Sequence, residues 1–322
     1  MNDVRILSLI KKSGIFDILS KEAEKNDAQT FLLLSDDTLT LDSLVTLLEC
    51  KFYCPDVCLS CNECRKVLSG NKVDVVEVNP NGESVSVADM RKDVISGSYV
   101  SAVEDGKKIY VIRNFSDLNQ QNQNALLKTL EEPPENVVLL LTSRSTEGIL
   151  PTVLSRVDKF NVPPHSPRVL KELLSYMGIA DDGYIAKYAA GNLTMAKKIA
   201  DDEKFLEKTH RIIEIFLGVK SSVDVVKYIN DKVFDDFQEA TFIMERILRD
   251  LLYYAADLEE KVATSFPEEY ERLAAELDKN AVAAIMEEVN LAERKIAANC
   301  NNINVADSLL LKLAEEKAKC KK

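Results

Sequence analysis

Five of the chain's seven cysteines fall within fifteen residues, and thiols at that density point to metal or redox chemistry. Cys58-x2-Cys61-x2-Cys64 sets three of them on one tight turn, and either Cys50 or Cys54 upstream can supply a fourth. Four thiolates close a tetrahedral Zn²⁺ shell, which is structural because no position stays open for water. An iron–sulfur cluster is the rival, since its ferredoxin pattern also opens C-x2-C-x2-C, but that pattern then needs C-x3-C-P. After Cys64 comes Arg65-Lys66-Val67-Leu68-Ser69, so zinc is the better reading. Disulfides fit less well, because Asp3, Arg5, Lys11, Lys12 and Asp17 interrupt the first nineteen residues and no signal peptide is indicated. The expected compartment is the cytoplasm, where thiols stay reduced.

A second set of residues is informative for what it lacks. A phosphate-binding loop needs G-x4-G-K-[ST] between a strand and its helix, because glycines let backbone N–H groups wrap phosphates while Lys neutralises them. The first strand pattern, residues 31–34, is followed instead by Ser35-Asp36-Asp37-Thr38-Leu39-Thr40-Leu41-Asp42, with no glycine, no lysine and three aspartates. Leu41, Leu44, Val45 and Leu48 already follow helical spacing, so the turn is too short for a triphosphate, and the aspartates would repel one. A strand at 108–112 ends in Arg113-Asn114. A nucleotide hydrolase of this build carries acidic residues there to hold Mg²⁺ and activate water.

Such residues need a scaffold, and the sequence supplies one of recognisable class. Short β-rich runs at 30–34, 73–78, 109–112 and 137–142 alternate with helical patterns, including residues 121–132 closed by Pro133-Pro134. That alternation predicts a parallel sheet covered by helices. Past Pro163-Pro164 the periodicity turns helical, with stripes at Val169, Leu170, Leu173, Leu174 and at Phe242, Ile243, Ile247, Leu251, Leu252. A break near 218–222 divides this helical region, Pro267 opens another helix, and Lys317 to Lys322 reads as a frayed, solvated tail. Apolar residues at 46% of 322 are enough for two or three packed domains, and no run of 18 apolar residues predicts a membrane span. A net charge of −12 disfavours tight nonspecific nucleic-acid binding, so any service to DNA is expected through partners.

Asn122-Gln-Asn-Ala-Leu-Leu-Lys-Thr-Leu-Glu-Glu-Pro-Pro134 resembles the hallmark block of bacterial DNA polymerase III clamp-loader subunits, and Leu150-Pro-Thr-Val-Leu-Ser-Arg156 resembles the Leu-Pro-Thr-Ile-x-Ser-Arg-Cys motif that follows it there. The resemblance implies an α/β AAA+ parallel-sheet domain over residues 1–164 with an inserted zinc module at about 50–66. It also implies a small helical lid at 165–217 and a helical collar at 218–322. Cys50-x7-Cys58-x2-Cys61-x2-Cys64 is close to the family's spacing, which prefers Cys50 as fourth ligand and leaves Cys54 as the alternative.

Within that family three departures point to the delta-prime branch, which does not hydrolyse ATP. The phosphate loop is missing, Arg113 stands in place of the Mg²⁺-binding acid, and Gly191-Asn-Leu-Thr194-Met-Ala196 has Thr194 where ATPase subunits carry a nucleotide-sensing arginine. The resemblance therefore implies a chain that binds no ATP, is no enzyme alone, and inherits a polymerase label only from its complex. Arg156 takes the place of an arginine finger offered in trans to a neighbour's ATP, supported by Ser155 and followed by Val157 instead of cysteine. The implied partners are the ATPase subunits and the delta subunit of a heteropentamer, and through it the sliding clamp and primed DNA. Two other readings are an ATP-binding loader subunit and a zinc-bearing adaptor contacting DNA through Cys58 to Lys66.

Overall fold

Branched and apolar residues run unbroken at the centre of the sheet, as a strand buried on both faces requires. The computed structural model describes residues 3–25, 29–79, 85–104, 106–180, 184–256, 258, 265–298 and 300–320. Its strands are β1 (Gln29–Leu34), β2 (Val75–Val78), β3 (Lys108–Ile112), β4 (Val137–Ser143) and β5 (Asp158–Asn161), in the order β2-β3-β4-β1-β5. Every pairing is parallel. All of β4 is buried. β5, which the sequence patterns did not single out, is an edge strand of sequence DKFN, too polar and exposed to stand out from a loop. Its one aromatic, Phe160, stacks on Phe31 of β1 at 5.6 Å.

Successive strand residues face opposite sides of the sheet. Leu32, Tyr110, Ile112, Leu139 and Leu141 join Met90, Val94, Leu126 and Leu130 in one core. The helices there are α5 (Val87–Asp89), the π-helical turn that continues it (Met90–Ser96), α6 (Gln120–Glu131) and α7 (Pro151–Leu154). Phe31 faces the other way and meets Phe52 of α3 (Thr38–Tyr53) edge-on at 6.2 Å. Packed with α3 on that side are α1 (Val4–Ile10), α2 (Gly14–Ala23) and α4 (Asn62–Leu68).

The chain divides into two compact units, one of Met1–Ala180 with Gly191–Met195 and the other of Asp181–Ala190 with Ala196–Lys322. The helix α8 (Pro167–Tyr176), expected to open the helical region, belongs to the first unit because it packs against α1 and buries Leu170, Leu173 and Leu174. Gly191 ties the 191–195 segment to that unit: His165 N–H donates to its carbonyl at 2.9 Å. Its φ is +89°, and a Cβ there would sit 2.4 Å from the His165 carbonyl oxygen, so only glycine fits.

The remaining helices are α9 (Tyr184–Ala189), α10 (Leu193–Asp201), α11 (Phe205–Gly218), α12 (Ser222–Tyr228), α13 (Phe237–Tyr254), α14 (Pro267–Glu276), α15 (Lys279–Ala297) and α16 (Asn302–Cys320). The predicted stripe on α13 buries Ile243, Ile247 and Leu251, whereas Phe242 and Leu252 lie half-buried at its margins. Lys317 corrects the expectation of a frayed tail. It is buried on α16, pairs with Glu276 at 2.6 Å and donates to the Phe216 carbonyl, and such partners are what make a buried ammonium tolerable. Lys321 and Lys322 lie outside the described residues. Among the described residues, no helix is long and apolar enough to cross a membrane.

Candidate metal centre and strand-end pocket

The cysteine loop is shaped by two backbone residues that pay a conformational cost. α3 ends at Tyr53, and Cys54 caps it in extended conformation, its N–H donating to the Cys50 carbonyl at 2.7 Å. The chain then turns through Val57 and Leu59 at φ 46° and 57°, left-handed positions that cost non-glycine residues roughly 1–3 kcal/mol each. Lys11 holds the turn by donating to the Asp56 and Val57 carbonyls at 2.6 and 2.8 Å. Cys61 N–H points at Cys58 Sγ (3.3 Å) and Cys64 N–H at Cys61 Sγ (3.4 Å), so each sulfur faces backbone donors.

Four sulfurs converge there: those of Cys54, Cys58, Cys61 and Cys64 lie within 4.8 Å of one another. Cys54 and Cys58 Sγ are 3.7 Å apart, far beyond a disulfide bond. A zinc tetrathiolate with bonds of about 2.3 Å has edges of roughly 3.8 Å, so the donor set fits that ion. Cys50, the preferred fourth ligand by family spacing, lies outside this quartet and Cys54 stands in it. The reason is geometric. Cys50 is one turn earlier on α3, buried, whereas the extended cap carries Cys54 out to the turn. Burial pushes the Cys50 thiol up to about 12, while N–H groups of Ser60 and Cys61 draw exposed Cys58 down to about 6, toward the thiolate a metal needs.

The second site lies at the carboxyl ends of the strands. Ser35-Asp36-Asp37 alone connects β1 to α3, and a notch of about 270 Å³ opens beside it, lined by Thr38, Leu41, Asp42, Arg113, Asn114, Thr142 and Arg144. Arg113 grips Glu77 with a two-pronged contact (2.9 and 3.0 Å) and reaches Asp42 with its third nitrogen. A guanidinium thus neutralises two carboxylates at the end of β3.

Glu49, two turns along the same face of α3 from Asp42, is 6% exposed, and its Oε1 has no hydrogen-bond partner among the described residues. Burial first, then repulsion from Glu77, pushes its carboxyl up to about 8 despite Arg113. Between the unfolded value near 4.5 and that folded value, the native chain holds a proton that the unfolded chain has lost, so stability falls as pH rises. Replacing Glu49 with Gln should flatten this slope. Urea unfolding should show the variant ahead of wild type by roughly 1–3 kcal/mol at pH 8 and level with it near pH 4.

Arg156 follows α7, past Ser155, and its side chain is 31% exposed. Nη1 donates to the Thr152 carbonyl at 2.8 Å and to Ser155 Oγ at 3.3 Å. Nε lies 3.3 Å from Glu131 Oε2 without an aligned hydrogen bond, so that pair is held by charge alone. Val157 packs into the sheet core, as the small apolar residue in its motif position should.

A family model described as DNA polymerase III, delta subunit matches residues 11–166. DNA polymerase III subunit delta' of Bacillus subtilis is 23% identical over 290 residues, covering 84% of this chain and 85% of its own length. The delta' subunit of Haemophilus influenzae is 29% identical over 167 residues, 50% of this chain and 51% of its own. The gamma subunit of Buchnera aphidicola from Acyrthosiphon pisum is 26% identical over 257 residues, 71% of this chain and 68% of its own. Across these matches the chain is similar to DNA polymerase III clamp-loader subunits.

The structure brings Cys58, Cys61 and Cys64 together and places Ser155 and Arg156 just after α7. In the sequence Lys11 stands out only as a charge that spoils a signal peptide. Its grip on the cysteine turn has no local pattern to betray it, since its acceptors are backbone carbonyls 45 and 46 residues away. Of the two basic residues of the adaptor reading, Lys66 is half-buried and pairs with Glu104 at 2.7 Å and Glu63 at 3.4 Å, while Arg65 is exposed.

Proposed function

We propose that this chain is a clamp-loader subunit, the delta-prime member of its complex, a stator that hydrolyses no ATP itself and lends Arg156 to the ATP of a neighbouring subunit. The contrast between its two sites carries this reading. The strand ends that would hold nucleotide are taken up by the chain's own ion pairs around Arg113, while Arg156 lies part-exposed on contacts no stronger than a carbonyl, a hydroxyl and a solvated carboxylate. The sequence of 35–42, without glycine or lysine, supports the same conclusion. Cys54, Cys58, Cys61 and Cys64 hold a structural Zn²⁺ that braces the turn between α3 and α4. Helices from residue 218 onward serve as the collar that joins the ATPase and delta subunits in a heteropentamer, through which the protein meets the sliding clamp and primed DNA.

The test is assembly with and without nucleotide. The chain should co-purify with the ATPase and delta subunits of its own organism, and the isolated chain should bind no labelled ATP. Tight ATP binding by the isolated chain would return it to the ATPase subunits, and salt-sensitive binding of primed DNA by the chain alone would favour the adaptor instead.

A further inference from the structure

The three aspartates after β1 were expected only to repel phosphate, and Asp37 does something else. It caps α3, but a cap needs one hydrogen bond and this carboxylate receives five. Thr40 N–H (3.2 Å), Thr194 N–H (3.0 Å) and Thr194 Oγ1 (2.8 Å) converge on Oδ1. Thr40 Oγ1 (2.8 Å) and Leu193 N–H (2.7 Å) converge on Oδ2. The side chain is buried, with 4% of the residue exposed. No cation pairs with it among the described residues, so neutral donors and the α3 N-terminus carry the charge.

The outer bonds fix every hydroxyl. Thr194 Oγ1 spends its proton on Asp37, so it accepts from Leu39 N–H at 2.9 Å and from the Thr38 hydroxyl at 3.3 Å. Thr40 Oγ1 likewise spends its proton on Asp37 and accepts from His165 Nε2 at 2.7 Å, which places a hydrogen on that nitrogen. Two stretches 156 residues apart thus build one cradle of donors with nothing but an anion to satisfy them.

We infer that Thr40, Leu193 and Thr194 form an anion site for a phosphate-like oxyanion, occupied by the chain's own Asp37 carboxylate, which straps the 191–195 segment to α3 without any nucleotide. This deepens the reading that the subunit binds no ATP and rests on it. An Asp37→Ala variant vacates the cradle while leaving its donors in place. Hydrogen exchange at Leu193 and Thr194 should then quicken by roughly 10–100-fold relative to wild type. Inorganic phosphate or sulfate at millimolar concentration and constant ionic strength should restore the protection and raise the variant's melting temperature, with no effect of either anion on wild type.

Unchanged exchange in the variant would overturn the strap. Accelerated exchange that neither anion reverses would overturn the anion site and leave Asp37 a strap alone. If Asp37→Ala does not fold, Thr194→Val removes one donor: faster exchange at Leu39 supports the strap, and wild-type exchange there overturns it. Binding of labelled ATP by the wild-type chain would sink the reading beneath this one, whatever the Asp37 variants do with phosphate.

Discussion

A clamp loader rebuilt with Arg156→Ala should assemble normally and lose ATP hydrolysis at the neighbouring site by about 10³-fold or more, the loss expected if Arg156 is the proposed arginine finger. ATP binding there should stay, because a guanidinium in the proposed role acts on charge that develops only in the transition state. Folding is little affected. The pair with Glu131 is exposed on both partners, 31% and 59%, and surface pairs contribute about 0–1 kcal/mol. Arg156→Lys should fail to rescue, since an ammonium keeps the charge but not the planar fork. Single-turnover hydrolysis in the reconstituted complex, stimulated by clamp and primed DNA, measures the effect. Rates equal to wild type would leave Arg156 with nothing beyond its contacts to Thr152, Ser155 and Glu131.

The second large effect concerns the metal. Elemental analysis should find about one zinc per chain, and stripping it should unfold the turn between α3 and α4, because structural zinc supplies roughly 10–16 kcal/mol of apparent binding free energy at neutral pH. Without an ion, Val57 and Leu59 would keep their left-handed backbone at a cost, offset by the contacts of Lys11 and Lys51 to the turn's carbonyls. Substituting Ser for Cys58, Cys61 or Cys64 should abolish metal binding. Cys54→Ser should do the same and Cys50→Ser should retain the ion. The reverse outcome for that last pair would move the fourth ligand back to Cys50, and metal-free protein with an intact fold would remove the centre altogether.

Much of the α/β unit could be read from pattern. Residues 109–112 and 137–141 are unbroken apolar runs, and strands buried on both faces leave that trace. The helix at 120–131 announces its end with two prolines, and the breaks at Gly218 and Pro267 fall where the sequence places them. What escaped depends on partners distant in sequence. β5 is a strand only because β1 offers it an edge, and Lys317 is buried only because Glu276 and the Phe216 carbonyl wait for it. In the candidate sites the residue types were legible and their pairing was not. Arg113 stood out as the wrong residue for a metal-binding acid, yet Asp42 and Glu77 as its partners lie 71 and 36 residues off. The choice between Cys50 and Cys54 turns on where α3 stops, a boundary that spacing cannot fix within a turn.

The interleaving of the two units bears on how the chain is made. Residues 181–190 belong to the second unit, and 191–195 return to the first. A ribosome that has delivered residue 180 has therefore delivered a sheet and its helices without the segment that Asp37 awaits, and release of about fifteen more residues comes before the first unit can close. No single cut separates the units cleanly either. A fragment ending at 180 leaves Asp37 bonded only within α3, while one beginning there carries Leu193 and Thr194 without their acceptor.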